Sequence, residues 1–247
     1  MELNQIVQGN AYELIKQVPD KSIDLIITDP PYEITGLHSK KNGFFKWKGS
    51  STKYLNQLVS TNLGVGINLE ILPELVRVMK KINIYLWCNK EQIYDYMTFF
   101  VKERKCNFEI IVWAKTNPAP FVGGHYLKDK EYCLYFWERG VKLSGTYETM
   151  KTFYKTSTNV EDKELYNHPT IKPLPIIENL IKNSSGGGEI IFDPFVGSGT
   201  TCAGAKELGQ QYLGFEIDPN YYQIAVNRLN GITQKEKKEN LVQEKLF

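Results

Sequence analysis

Short, almost wholly apolar runs are the strongest constraint on how this chain folds. They recur at 23–28, 82–87, 110–113, 132–136, 189–192 and 212–215. Several carry hardly a polar side chain, which suits strands covered on both faces, as in a largely parallel sheet. Helical patterns lie between some of them. The segment 10–17 precedes the first run, and 69–80 is amphipathic with Pro73 near its start. The pattern returns at 176–182 after "KPLP", at 200–208 after a glycine-rich turn, and at 221–229 after "DPN", an N-terminal helix signal. Strands alternating with helices predict a doubly wound α/β sheet. The 247 residues suffice for one large domain of this kind or two small ones.

Two stretches break the rhythm. Residues 33–68 contain no acid after Glu33, yet carry Lys40, Lys41, Lys46, Lys48 and Lys53 interleaved with Phe44, Phe45, Trp47 and Tyr54. A long loop of this kind inside a compact domain is functional or disordered. Residues 138–167 are polar, rich in Thr, Tyr and Lys, and predict an appended hairpin or loop rather than core. The tail 231–247 is charged and predicts a frayed helix or disorder. Net charge is only +2, so a polyanion partner needs a local patch, which 33–68 supplies. Cys88, Cys106, Cys133 and Cys202 are scattered, with no metal-ligand spacing, and predict buried free thiols in a reducing compartment. The N-terminus lacks a secretory pattern, and no apolar run reaches the ~18 residues of a membrane span. The expectation is a cytoplasmic protein with no metal.

"IIFDPFVGSGTTCAGAKELG" reads as strand, acidic turn, Gly-x-Gly and helix. Gly197 and Gly199 allow a tight turn and close approach of a ligand, and the helix then opens with free N–H groups. A second strand ends at Glu216, an acid placed to accept hydrogen bonds from both ribose hydroxyls of a nucleoside. The third glycine of a dinucleotide fingerprint is missing. Asp193 at the strand end would repel a pyrophosphate but suits a cationic amine. S-adenosylmethionine combines an amine, a ribose and an adenine, and has no phosphate.

"LIITDPPY" ends a buried strand in a carboxylate, a rigid backbone and an aromatic ring. An exocyclic amine on a nucleobase is a poor nucleophile, because its lone pair is delocalised into the ring. A carboxylate and a backbone carbonyl can each accept one of its two N–H hydrogens and so localise that lone pair. Pro30 lacks an N–H, but its carbonyl can serve as the second acceptor, and the prolines hold both acceptors in place. Tyr32 offers a stacking face to a base drawn out of its helix.

"DPPY" before "DPFVGSGT" resembles the β group of the S-adenosylmethionine-dependent DNA amino-methyltransferases. "HPTIKPLPIIENLI" and "VQGNAYELIKQVPDKSIDLIITDPPY" are similar to further family segments. The resemblance implies a circularly permuted, mostly parallel seven-stranded methyltransferase sheet. It implies one catalytic domain, 1–230, with DNA-recognition insertions at 33–68 and 138–167. Asp29, Pro30 and Tyr32 would be catalytic. Asp193, Phe195, Gly197, Ser198, Gly199 and Thr200 would shape the cofactor pocket, which Asp29 borders. Glu216 would hold the ribose, and Thr170 and Lys172 would lie beside the methionine carboxylate. Asn10 stands where the family usually has an acid, and its carbonyl could accept from the cofactor's adenine amine.

A base inside a duplex must be flipped out to reach such a pocket. Lys40, Lys41, Lys46, Trp47, Lys48 and Lys53 are the candidate DNA contacts, through phosphates and stacking. The reading is therefore methylation of adenine N6 in a short recognition sequence of double-stranded DNA. The setting would be restriction–modification, or an orphan or phage protective enzyme. Cytosine N4, RNA adenine and a non-catalytic DNA-binding subunit stay open, as do homodimerisation and a separate restriction endonuclease chain.

Overall fold

Every position of Leu25–Thr28 is buried, and so is every position of Asn83–Cys88. Runs without a wet face need cover on both sides, and the fold provides it. The computed structural model describes residues 1–32, 66–118, 126–158, 165–166 and 170–233. The strands, in chain order, are β1 (Gln5–Gln8), β2 (Leu25–Thr28), β3 (Asn83–Cys88), β4 (Asn107–Lys115), β5 (Lys130–Trp137), β6 (Phe153–Thr156), β7 (Ile190–Asp193) and β8 (Gln211–Glu216). The helices are α1 (Ala11–Leu14), α2 (Ile71–Val78), α3 (Ile93–Met97), α4 (Leu174–Ser184), α5 (Thr200–Glu207) and α6 (Pro219–Leu229). A 3-10 turn, Ile15–Gln17, continues α1, and a π-helical turn, Thr98–Glu103, continues α3.

The sheet runs β1-β8-β7-β2-β3-β5-β4-β6. Neighbours from β1 to β3 are parallel, β5 is antiparallel to both β3 and β4, and β6 is parallel to β4. The architecture is the expected mostly parallel α/β sheet, with eight strands among the described residues instead of seven. The extra strand is β6, inside the segment that the sequence reads as hairpin or loop. Four residues of alternating exposure give little period to detect.

Side chains alternate between two cores. Ile26, Ile84, Leu86, Phe136, Phe192 and Phe215 face α1, α2 and the α3 region, meeting Ile15, Leu75 and Phe100. Leu25, Ile27, Tyr85, Trp87, Tyr135 and Ile191 face α4, α5 and α6, meeting Ile177, Leu180, Ala205 and Ala225. Each such aliphatic or aromatic side chain contributes ~1.5–3 kcal/mol when fully buried. Helix α2 buries Ile71, Leu72, Leu75 and Val78, one stripe at helical spacing, and Pro73 sits harmlessly in its first turn. Asp218 caps α6 by accepting from the N–H groups of Asn220 and Tyr221 at 2.8 and 3.0 Å. The four cysteines are free and buried, as expected. Among the described residues no helix is long and apolar enough to cross a membrane.

Candidate active site

Strands β2 and β7 lie side by side where the chain order reverses. From β2 the chain moves outward through β3, and from β7 it moves the other way through β8. Ligands of open α/β sheets bind outside the carboxyl ends of the strands at such a switch point. The register pairs Leu25 with Ile191 and Ile26 with Phe192. The two acidic strand ends therefore emerge together. Thr28 Oγ1 donates to Asp193 Oδ1 at 2.6 Å, and Thr201 Oγ1, on α5, donates to the Ile27 carbonyl at 3.2 Å.

Beyond β2, Asp29 meets a buried lysine. Lys172 Nζ donates to Asp29 Oδ2, and lies 3.1 Å from Glu131 Oε2. Glu131 Oε1 in turn holds Lys115 Nζ at 2.5 Å. The cations of Lys172 and Lys115 hold the Glu131 carboxyl down at about 2, against the opposing effect of burial. The Lys172 ammonium is itself held well above the ordinary lysine range by Asp29 and Glu131, although burial alone would lower it. Removing one partner of a buried pair typically costs ~3–5 kcal/mol. Tyr32 closes the group: its hydroxyl is 3.4 Å from Glu131 Oε2 and accepts from Lys172 Nζ at 3.3 Å. Burial, then the Asp29 charge, keep that phenol well above its usual range and so protonated. Asp29 Oδ1 is buried and has no hydrogen-bond partner among the described residues. Gln92 Nε2 donates to the Pro31 carbonyl at 3.0 Å and so fixes the turn.

The second half of the site lies on β7, β8 and the glycine turn. Asp193 Oδ1 also accepts from the Phe195 N–H at 3.0 Å. Burial pushes the Asp193 carboxyl up to about 6, more than its hydrogen bonds pull it down. Glu216 accepts from the Gly197 N–H at 2.7 Å and the Asp218 N–H at 2.9 Å, and burial pushes it up to about 7. Phe195 meets Tyr12 edge-on, ring centroids 6.2 Å apart, beside these acids. Gly199 has φ +82°, and a Cβ there would meet Ala225 Cβ at 3.0 Å. Its lack of a side chain lets α6 pack against the turn.

The structure thus gathers Asp29, Pro30, Tyr32, Lys172, Asp193, Phe195, Gly197, Gly199 and Glu216 at one end of the sheet. Other predicted residues take local roles. Asn10 caps α1, its Oδ1 accepting from the Tyr12 N–H at 3.0 Å. Ser198 and Thr200 are buried, with hydroxyls 3.2 Å apart, and Arg228 Nη1 donates to Thr200 Oγ1 at 2.8 Å. Thr170 is exposed. Lys40, Lys41, Lys46, Trp47, Lys48 and Lys53 lie outside the described residues. Glu131, Lys115 and Gln92 carry no local motif, and only the tertiary fold brings them to the site. At the same sheet end the exposed Lys130 and Lys155 flank Ala114 from the two neighbouring strands, with exposed Lys128 close by in sequence.

This geometry has relatives. The chain is 29% identical to the Type II methyltransferase M2.LlaDCHI of Lactococcus lactis subsp. cremoris, over 91% of this chain and 88% of that protein. It is 28% identical to the Type II methyltransferase M2.DpnII of Streptococcus pneumoniae, over 92% and 89%. Among solved structures, M1.HpyAVI in complex with SAM superimposes with a TM-score of 0.64 at 26% identity, covering 91% of this chain and 99% of that one. The cytosine-N4-specific PvuII DNA methyltransferase shares the fold, with a TM-score of 0.65 at 17% identity over 90% and 85%. The sequence profile of the DNA methylase family of N6 and N4 methyltransferases matches residues 23–227. The chain belongs to that family.

Proposed function

We propose that this chain transfers the methyl group of S-adenosylmethionine to the N6 amine of a flipped-out adenine in double-stranded DNA. The observation that carries the reading is Asp29 Oδ1, a buried, unpartnered acceptor beside the acid-lined glycine turn. The residues fit the cofactor. Asp193 and Glu216 are carboxyls that burial holds protonated well above the usual carboxylate range, so a bound cation and a ribose diol supply what they lack. Asp193 would hold the methionine amine, Glu216 the ribose, and Phe195 and Tyr12 would flank the adenosine. When bound, S-adenosylmethionine supplies an electrophilic methyl group on a sulfonium.

Asp29 Oδ1 accepts one N–H of the target amine, and the Pro30 carbonyl accepts the other. The amine lone pair, freed from the ring, would form the new N–C bond as the methyl carbon's bond to sulfur breaks, with S-adenosylhomocysteine as the leaving thioether, and the nitrogen would then shed a proton to Asp29 or water. Tyr32 stacks on the base. Positioning supplies much of the acceleration, since the donor is already activated. Segment 138–167, which adds β6 to the sheet, reads part of a short recognition sequence. Lys155 within it, and Lys128 and Lys130 beside it, serve as phosphate-binding cations. Adenine is preferred over cytosine on the DPPY tetrapeptide.

Modified-base sequencing of DNA from cells expressing the chain tests this. N6-methyladenine at one short sequence is the expected product, and N4-methylcytosine overturns the choice of base. Asp29→Ala abolishes methylation while sparing DNA binding. A wild type that methylates no DNA refutes the enzyme reading.

A further inference from the structure

We propose that Lys172 is a positioning residue for Asp29, locked in place by Glu131 and Lys115, and not a ligand of the cofactor carboxylate. The inference rests on the methyl-transfer reading above. A lysine ammonium has three N–H donors and no acceptor. Here Asp29 Oδ2, Glu131 Oε2 and the Tyr32 hydroxyl take all three directions. The Lys172 side chain is only 8% exposed, and its ammonium sits 5.2 Å from the Trp87 ring centroid and 5.5 Å from that of Tyr32. It is enclosed by acids and rings with no donor to spare.

The consequence falls on Asp29. A carboxylate at a strand end can rotate, and its two oxygens are equivalent until something distinguishes them. Lys172 binds one, which leaves Oδ1 as the unpartnered acceptor. Glu131 fixes Lys172, and Lys115 occupies the far oxygen of Glu131. Lys115 ends β4 and Glu131 lies near the start of β5, in strands paired antiparallel, so their contact is built into the sheet. The acceptor geometry is thus set by strands on the far side of β3 from β2. Preorganisation of this kind requires side chains locked by a second set of contacts.

The test uses the full-length protein and two variants. Lys172→Met alone leaves two acids facing each other and can prevent folding, so the double variant Lys172→Met/Glu131→Gln, which removes one charge of each sign, is measured beside it. Calorimetry with S-adenosylhomocysteine gives cofactor-site affinity, and single-turnover methylation of DNA at saturating cofactor gives the transfer rate. The expected result for the double variant is a rate at least 30-fold below wild type with a Kd within threefold. A rate within threefold of wild type overturns the proposal. So does a Kd weakened tenfold or more, which would return Lys172 to the cofactor. Wild-type methylation in the same assay separates failure of this inference from failure of the functional reading.

Discussion

Lowering the pH from 8 to 5 should loosen the grip on the cofactor, and Asp193 should carry much of the change. Burial holds its carboxyl at about 6 in the cofactor-free protein. A methionine amine is cationic throughout this range, so it favours the ionised acid. If only that form binds, the Kd scales as one plus the ratio of protonated to ionised Asp193. The factor is ~11 at pH 5, ~2 at pH 6 and close to unity at pH 8. Glu216, pushed up to about 7, adds to the slope in the same direction. Asp193→Asn isolates the Asp193 share: the variant binds more weakly at pH 8, and its slope between pH 5 and 8 loses about an order of magnitude. S-adenosylhomocysteine keeps the amine and the ribose and is the probe, read by calorimetry at each pH. A wild-type Kd constant within twofold, or an equal slope in Asp193→Asn, refutes the assignment. The same group links to folding. Its folded pKa is raised, so its contribution to stability is fully present below the ordinary value of 3.8 and is lost as pH rises through about 6. The loss amounts to ~3 kcal/mol in the cofactor-free protein, and cofactor binding offsets it.

Gly199→Ala forces an alanine to φ +82° and presses its Cβ to 3.0 Å from Ala225 Cβ. The expected destabilisation is ~2–5 kcal/mol from backbone strain and overpacking, measured by urea unfolding; a loss below ~1 kcal/mol would show that the turn yields. Replacing Lys128, Lys130 and Lys155 together by Gln should flatten the salt dependence of DNA binding by ~0.9 in log–log slope for each phosphate left without its lysine. Titrations of DNA binding across salt concentrations check this, and an unchanged slope removes that surface from the interface.

Much of the candidate site was legible because its residues sit in contiguous motifs. Asp29, Pro30 and Tyr32 come from one tetrapeptide, and Asp193, Phe195, Gly197 and Gly199 from one turn. The fold class followed from fully apolar runs, since only strands covered on both faces need them. What escaped was set by pairing. Lys172 and Asp29 are 143 positions apart in sequence, and nothing near either names Glu131 or Lys115 as the groups that hold them. Beside the glycines, Thr200 accepts from Arg228 on α6, 28 positions away, a partner that no local motif names. The strand β6 escaped for a different reason: its pattern is too short to rise above a polar loop.

The sheet itself joins the two halves of the reaction. In the proposed reaction the acceptor side hangs from β2 and the donor side from β7, adjacent parallel strands whose register fixes Asp29 relative to Asp193. Two hydrogen bonds brace this pair where the strands end, Thr28 to Asp193 and Thr201 to the Ile27 carbonyl. A displacement of one strand end would strain both. The glycine turn is held in the same frame, because the Gly197 N–H binds Glu216 on β8 and Gly199 packs on Ala225 of α6. Methyl transfer to a weakly nucleophilic amine depends on the alignment of three atoms, and a misplacement of ~1 Å can cost ~100-fold in rate. A site anchored in buried strands meets that demand better than one built on loops alone. On the proposed reading, base flipping and sequence recognition can vary outside this frame while the chemistry stays with β2, β7 and β8.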